Sequence, residues 1–336
     1  MTEELLILPC ETLSNPEGFS AEPHEIKHDV AIVDGHVDLP YFTSRKGFTG
    51  PLSDLDNGPW TLAKAREAGI KIWGSALYCE DRFNGALSFN HFKDLLSHTR
   101  SLLGDISVLG KYKSLDEAET FLILENADCL ADRSQYAAEL ASGGFLLAGL
   151  THAGKNRLAD GNAVRYSDGI TSAGKDVVKA LMANGIMLDV AHLHDRCFWE
   201  LMRLHDGPVV SSHSGVREAC DLPRNLSLAQ AKEITERGGI IGITVNPEML
   251  ASSGPACLYD VYVHMDILVQ RFGPLSVGIG SDFCGFDKPA KDLEDTGKLT
   301  NIGRLLLEKG YGEDAVSAIM AGNWLRVLGM ILEEMP

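Results

Sequence analysis

Histidines and acidic residues stand at the ends of several short apolar segments, a placement typical of metal-dependent enzymes. His36 and Asp38 follow the segment 30–34, and because extended side chains alternate between two faces, both can reach one ion. Similar segments end in, or are followed by, five further residues of these types: Glu125, His152, His192, His213 and Asp282. Imidazole and carboxylate ligands suit Zn²⁺, and a carboxylate such as Glu125 can bridge two metals about 3.5–4 Å apart.

Eight short apolar segments alternate with stretches of helical periodicity, and this alternation predicts a parallel sheet. The predicted strands are 30–34, 70–78, 121–125, 145–151, 186–191, 208–212, 239–245 and 275–281. Helical spacing is found at 89–103, 173–184, 228–237 and 259–272, with Ser227 as an N-cap and Asn184-Gly185 as a C-terminal stop. Eight such units predict an α/β fold, a (β/α)8 TIM-type barrel.

An open doubly wound sheet is the alternative architecture. It is disfavoured because the first predicted strand is followed by DGHVDLP and by no glycine-rich phosphate-binding segment. We expect residues 1–28, which contain three prolines, to form an irregular lead-in, and residues 29–336 to form a single barrel domain.

In a barrel enzyme the active site lies at the carboxyl ends of the strands, where all these side chains fall. Any one strand-end histidine is more often a hydrogen-bonded structural residue than a ligand. Four histidines and three acids on one barrel face would, however, bury competing polar groups at a cost that metal binding relieves. No cysteine pair stands nearby to form a closed structural site.

Charge and cysteine content narrow the choice of partners. The chain has 47 acidic and 30 basic residues, and its net charge of −17 disfavours nucleic acid and an anionic membrane surface as partners. The first twelve residues carry acids where a signal peptide needs positive charge, and the seven cysteines form no CxxC pair. We therefore expect a cytoplasmic protein.

Several long segments, in order, resemble the membrane dipeptidase (renal dipeptidase) family, peptidase family M19 of the amidohydrolase superfamily. These are DGHVDLP (34–40), LTHAGKNRLADG (150–161), IMLDVAHLHDRCFWELM (186–202), PVVSSHSGVREACDLPRNL (208–226), VGIGSDFCGFD (277–287) and GNWLRVL (322–328). The resemblance implies a metal-dependent hydrolase barrel with two Zn²⁺ per chain. The implied ligands are His36 and Asp38 on the first zinc, Glu125 as the bridge, and His192 and His213 on the second.

The resemblance also implies roles for three residues around the metals. His152 would contact the scissile carbonyl, Arg224 would bind the terminal carboxylate of the substrate, and Asp282 would shuttle the proton. The implied activity is hydrolysis of short peptides by a hydroxide between the metals, with dipeptides, including L-Xaa-D-Xaa dipeptides, as candidate substrates. A homodimer is implied by the family's habit alone.

Four positions depart from the family's usual residues: Val37, Asn126, Thr244 and Cys284. None of them is an implied metal ligand, so we expect them to change the pocket and the substrate preference. Asp34 and Asp189 each precede an implied ligand, and either could orient an imidazole or serve a structural role.

Two alternative functions stay open. The same metals could hydrolyse a lactone or a cyclic amide, or could deaminate a substrate. A deaminase would need a pocket for a base ring, whereas Arg224 favours a substrate with a free carboxylate. A metal-stabilised binding protein without activity would be favoured if a ligand or Asp282 were missing, and the full set is present.

Overall fold

Eight parallel strands close into a barrel in the order in which they occur along the chain, and β1 pairs with β8. The computed structural model describes residues 31–111 and 119–335. The strands β1 to β8 are Ile32–Val37, Ile70–Tyr78, Thr120–Glu125, Phe145–Gly149, Met187–Asp189, Val210–Ser214, Ile240–Ile243 and Val277–Ile279. Closure confirms the predicted (β/α)8 barrel and excludes the open doubly wound sheet. The predicted lead-in, 1–28, lies outside the described residues.

The α-helices pack around this barrel. In chain order, α1 to α12 are Leu39–Arg45, Leu62–Glu67, Ser88–Leu103, Ala137–Ser142, Ser172–Ala183, Asp195–Leu204, Leu228–Glu236, Pro247–Leu250, Leu258–Phe272, Thr300–Glu308, Glu313–Ser317 and Asn323–Glu334. The four predicted helices correspond to α3, α5, α7 and α9, each within one residue at both ends. Ser227 caps α7 through a full capping box with Gln230.

Strand boundaries differ more from the prediction than helix boundaries do. The second strand matches its predicted range, but β1 ends three residues later and β6 two residues later than predicted. His36 and His213 therefore lie within strands and not beyond them. Strands buried on both faces lack the alternation that marks an end in the sequence, which accounts for the error.

Trp324 of α12 fills the barrel interior beside β1 and β8. Its side chain is fully buried, and its Nε1 donates to the Ile279 carbonyl at 2.7 Å. A Cβ at Gly35 would lie 2.0 Å from the Trp324 ring, and one at Gly278 would lie 2.7 Å from Nε1. The two glycines thus make room for the indole. Gly35 directly precedes His36 in β1, so the indole packs next to that histidine's strand position.

The segment Glu313–Glu334 comprises α11, a π-helical turn at Ala318–Gly322 and α12. Among the described residues it is the one helical run long and apolar enough to cross a membrane by length and composition alone. Its side chains Val327, Leu328 and Ile331 are buried against the barrel core. This packing accounts for its apolar composition, as in the core helix of a globular domain.

Candidate metal centre

Glu125, the last residue of β3, lies between two pairs of predicted ligands. Its Oε2 is 3.6 Å from His36 Nε2, which in turn lies 3.8 Å from Asp38 Oδ2. Its Oε1 is 2.9 Å from His192 Nε2 and 3.8 Å from His213 Nε2. The two imidazole Nε2 atoms of that second pair are 3.0 Å apart. The structure thus brings all five predicted ligands together, with the carboxylate oxygens turned toward different pairs.

Burial makes this cluster costly without a cation. His36 is fully buried, and Asp38 and Glu125 are almost so. His36 Nε2 and Asp38 Oδ1 are buried atoms with no hydrogen-bond partner, a state that costs about 1–3 kcal/mol for each group. Ligand atoms of His36, Asp38 and Glu125 lie within 4.8 Å of one another, as do those of Glu125, His152 and His192. The donor set of imidazoles and carboxylates fits Zn²⁺.

Ionisation of the cluster is strongly coupled. Burial alone would lower the pKa of His36, but its contacts with Asp38 and Glu125 raise that pKa well above its ordinary value. Burial alone would raise the pKa of Glu125, but hydrogen bonds from His192 and His36 hold it well below the usual range. Burial lowers the pKa of His213, and nearby positive charges add to that shift. The carboxylate is held charged and His213 neutral, the states that bind metal, whereas His36 is held protonated and would release its proton when a metal binds.

His152 lies beside these ligands and is oriented by residues that follow β2. Its Nδ1 is 3.1 Å from Asp81 Oδ2 and 3.3 Å from the Tyr78 hydroxyl. Asp81 Oδ2 also accepts the Gly154 backbone N–H, which ties it to the loop of His152. Neither Tyr78 nor Asp81 was predicted from the sequence. Their position at the end of β2 is a signal that could have found them, since Tyr78 is the last residue of that strand and Asp81 follows three residues later.

Arg224 reaches the centre from the loop after β6. Its Nη1 donates to Ser214 Oγ at 3.1 Å and its Nη2 to the His213 carbonyl at 2.7 Å. The negative charges of Asp282, Glu125 and Asp189 act on the guanidinium, but burial outweighs them and lowers its pKa. The residue is partly exposed, and three of its five N–H groups have no partner among the described residues, so a positive group with free donors lies beside His213.

Asp282, three residues beyond β8, adopts a left-handed backbone conformation with φ of 65°. Its Oδ2 accepts a hydrogen bond from Asn246 Nδ2 at 2.9 Å. The amide of Asn246 is oriented by α8, because its Oδ1 accepts the Glu248 backbone N–H. Burial, and then the negative charge of Asp38, raise the pKa of Asp282 to about 8. Asn246 was also missed, since nothing in the sequence marks its pairing with a residue 36 positions away.

Neither Asp34 nor Asp189 hydrogen-bonds to an imidazole of the site. Asp34 accepts the backbone N–H and the hydroxyl of Ser281, which fixes the loop after β8. Asp189 accepts the backbone N–H groups of Ala191 and Ser212. The observed contacts of both aspartates are therefore those of structural residues. The group that directly contacts two imidazoles, those of His36 and His213, is the Ser212 hydroxyl.

The four departures from the family pattern are all buried: Val37, Asn126, Thr244 and Cys284. Asn126 has φ of 70° and donates from Nδ2 to the Cys79 carbonyl and to Asn84 Oδ1, so it organises the loop after β2. Thr244 Oγ1 accepts the Asn246 backbone N–H. His192 and Cys284 also have positive φ, of 65° and 75°. Asn126 and Thr244 thus hydrogen-bond to the loops that carry Asp81 and Asn246.

Both the sequence and the fold of this chain are similar to those of known proteins. A family model for the membrane dipeptidases, peptidase family M19, matches residues 20–334. Rat dipeptidase 3 is 24% identical over 324 residues, which cover 91% of this chain and 66% of that protein. Dipeptidase aclJ of Aspergillus oryzae is 29% identical over 244 residues, covering 71% of this chain and 57% of that protein. The chain thus spans about two thirds or less of the length of these relatives.

A solved structure shares the fold over nearly the whole chain. It is a metallo peptidase from Rhodobacter sphaeroides, liganded with a phosphinate mimic of the dipeptide L-Ala-D-Ala. The TM-score is 0.78 at 21% sequence identity, and the match covers 92% of this chain and all of the other.

Proposed function

Since this chain belongs to the membrane dipeptidase family, peptidase family M19, we propose that it is a metal-dependent dipeptidase with two Zn²⁺ per chain. The observation that carries the proposal is Glu125, whose two carboxylate oxygens lie beside two different pairs of potential ligands. Dipeptidases among the curated relatives and the imidazole-carboxylate donor set support the same activity.

His36 and Asp38 would hold one metal, His192 and His213 the other, and Glu125 would contact both. Bound zinc lowers the pKa of a coordinated water to about 7 and polarises a substrate carbonyl. The unpartnered buried atoms His36 Nε2 and Asp38 Oδ1 support this assignment, because a cation would satisfy both.

Arg224 would bind the C-terminal carboxylate of the substrate. Its planar guanidinium matches a carboxylate in a two-bond geometry, and its contacts with Ser214 and the His213 carbonyl orient it toward the ligands. A fixed carboxylate site near the metals restricts the enzyme to short substrates and holds the scissile carbonyl in place. A lactone or an uncharged cyclic amide would leave this guanidinium without its partner.

His152 and Asp282 would act on the reacting atoms. Asp81 holds His152 at Nδ1, and in its doubly protonated form the ring would donate Nε2–H to the carbonyl oxygen as negative charge develops on it. The positive charge of bound zinc would favour the ionised form of Asp282, and this carboxylate would then accept a proton from the attacking water and return it to the leaving amine. Asn246 holds one oxygen of that carboxylate, and the side chain of Asp38 contacts Asp282 as well.

L-Xaa-D-Xaa dipeptides are the substrates to test first. The support is the Rhodobacter sphaeroides structure, which is liganded with a mimic of L-Ala-D-Ala. The cytoplasmic location and the homodimer stay predictions.

The experiment that tests the proposal measures metal content and cleavage on one sample. Elemental analysis gives zinc per chain, and a mixed library of L,L and L,D dipeptides reports the release of free amino acids. We expect about two zinc ions per chain and cleavage that a chelator stops and added Zn²⁺ restores. Two zinc ions without cleavage of any dipeptide would refute the activity but keep the site, and a chain that binds no metal would refute both.

A further inference from the structure

The Ser212 hydroxyl lies between two imidazoles that belong to different pairs of the metal centre. Its Oγ is 3.0 Å from His36 Nδ1 and 2.9 Å from His213 Nδ1. The two rings pack against each other, with centroids 3.7 Å apart. Ser212 and His36 are fully buried and His213 almost so, so water does not compete for these contacts.

The opposite nitrogens of the two rings face the carboxylates of the site. His36 Nε2 points to Asp38 and Glu125, and His213 Nε2 lies 3.8 Å from Glu125. A neutral imidazole that offers Nε2 to a metal carries its proton on Nδ1. Both Nδ1 atoms are then donors, and both need an acceptor in a place where an unmade hydrogen bond is costly.

One serine hydroxyl has the capacity to meet both needs. It offers two acceptor lone pairs and one O–H donor. Its lone pairs can take the two Nδ1–H groups, and its proton can go to Asp189, whose carboxylate hydrogen-bonds to the Ser212 side chain. The Ser212 backbone N–H also donates to Asp189 Oδ1 at 2.9 Å, which fixes the serine relative to that carboxylate. Every hydrogen-bonding atom of the hydroxyl is then used.

We propose that Ser212 is a positioning residue shared by both metal sites. Its hydroxyl accepts Nδ1–H from His36 and from His213, and so holds each ring in the tautomer and orientation that present Nε2 to a metal. The inference rests on the proposed function, because it takes Nε2 of both rings as the metal-binding atom. It goes beyond that function in one respect: a single side chain, Ser212, affects the metal affinity of both sites.

An alternative use of the same atoms is a further cation site. Ligand atoms of His36, Asp189 and His213 lie within 4.8 Å of one another and are all buried. The Ser212 hydroxyl already lies between the two Nδ1 atoms, at hydrogen-bond distance from both, where such a cation would have to bind. A third metal equivalent bound by the wild-type protein and lost on changing Asp189 to Asn would therefore overturn the proposal.

The test compares Ser212→Ala with the matched control Ser75→Ala. Ser75 is also a fully buried serine of a barrel strand, and its hydroxyl contacts Thr120 and Trp73, with no imidazole. Competition with a chromophoric chelator measures the two stepwise dissociation constants for Zn²⁺ in each protein. Loss of a group that orients a metal ligand typically costs 10–100-fold in affinity. We expect both constants to rise by about that factor in Ser212→Ala and to stay within about threefold in Ser75→Ala.

The outcomes separate this inference from the proposed function. Wild-type protein that binds fewer than two zinc ions contradicts the proposed function itself. Two ions in the wild type and unchanged affinity in Ser212→Ala contradict the role of Ser212 alone. A rise in one constant only would also overturn the shared role, and a lower melting temperature of the metal-free variant with unchanged affinity would assign Ser212 to packing.

A measurement on wild-type protein keeps the inference testable if Ser212→Ala fails to fold. In zinc-loaded protein with ¹⁵N-labelled histidine, ring nitrogen shifts identify the metal-bound and the protonated nitrogen of each imidazole. We expect Nδ1 to be protonated and Nε2 to bind metal in both His36 and His213. Metal binding through Nδ1 of either ring would overturn the proposal.

Discussion

Replacing Arg224 with methionine should remove substrate recognition and leave the metal centre intact. Two of the five N–H donors of the guanidinium are used by Ser214 Oγ and the His213 carbonyl, which leaves three. A substrate carboxylate can take two of these, and each hydrogen bond to a charged group is worth about 1.5–3 kcal/mol. The sum is about 3–6 kcal/mol, and at about 1.4 kcal/mol for each factor of ten it corresponds to about 10²–10⁴ in kcat/KM.

The partial exposure of Arg224 favours the lower part of that range, because solvent screens a charge pair. We expect kcat/KM for L-Ala-D-Ala to fall about 10²–10³-fold in Arg224→Met, with zinc content unchanged. The assay pairs this substrate with its C-terminal amide, which lacks the carboxylate. The variant and the wild type should differ little on the amide.

Arg217→Met is the matched control, since that guanidinium already pairs with Asp195 through bonds of 2.7 and 2.8 Å. It should lower activity on both substrates equally or not at all. An equal loss on the dipeptide and the amide in Arg224→Met would show that the guanidinium does not bind the carboxylate, and the reasoning would fail.

Three further changes have expected results. Asp282→Asn should keep both metals and lose about 10²–10⁴ of kcat, because asparagine tolerates the positive φ but accepts no proton; full turnover would remove Asp282 from the mechanism. Trp324→Ala should cost about 3–5 kcal/mol and lower Tm by on the order of 10 °C, while Leu275→Ala, at an exposed side chain, should leave Tm nearly unchanged. Burial lowers the pKa of His264 to about 4, from a value near 6.5 in the unfolded chain. Between pH 6.5 and 4 the unfolded chain therefore binds a proton that the folded protein does not, so the free energy of unfolding is highest above pH 6.5 and decreases as the pH falls toward 4. Denaturant titrations should show that stability falls by about 3 kcal/mol more in the wild type than in His264→Gln across that window, and parallel pH profiles would contradict the shift.

The fold and the cluster of histidine and acidic side chains follow largely from one rule about where barrel enzymes place polar residues. Counting apolar segments predicts eight strands, and inspecting the residues that follow them finds Glu125, His192 and Asp282. The same rule finds His36 and His213 although both lie inside their strands. A shift of two or three residues does not matter when the side chain still points to the same end of the barrel.

The residues that the sequence did not predict act through contacts far apart in the chain. Asp81 contacts His152 across 71 positions, and Ser212 contacts His36 across 176. A buried serine beside a histidine is an ordinary strand residue in sequence, and its role depends on which ring from another strand packs next to it. Such pairs form only when the closed barrel brings together side chains from different strands and loops, as His36 of β1 and Ser212 of β6 meet across its interior, so periodicity and spacing do not predict which residues pair.

Positive φ at the strand ends of the centre has a consequence for attempts to redesign the enzyme. Asn126, His192, Asp282 and Cys284 each hold a conformation that costs a residue other than glycine about 1–3 kcal/mol. Asparagine and aspartate tolerate it better than other types, and β-branched residues tolerate it worst. A mutant library aimed at new substrates would therefore lose most of its valine, isoleucine and threonine members at these positions to misfolding.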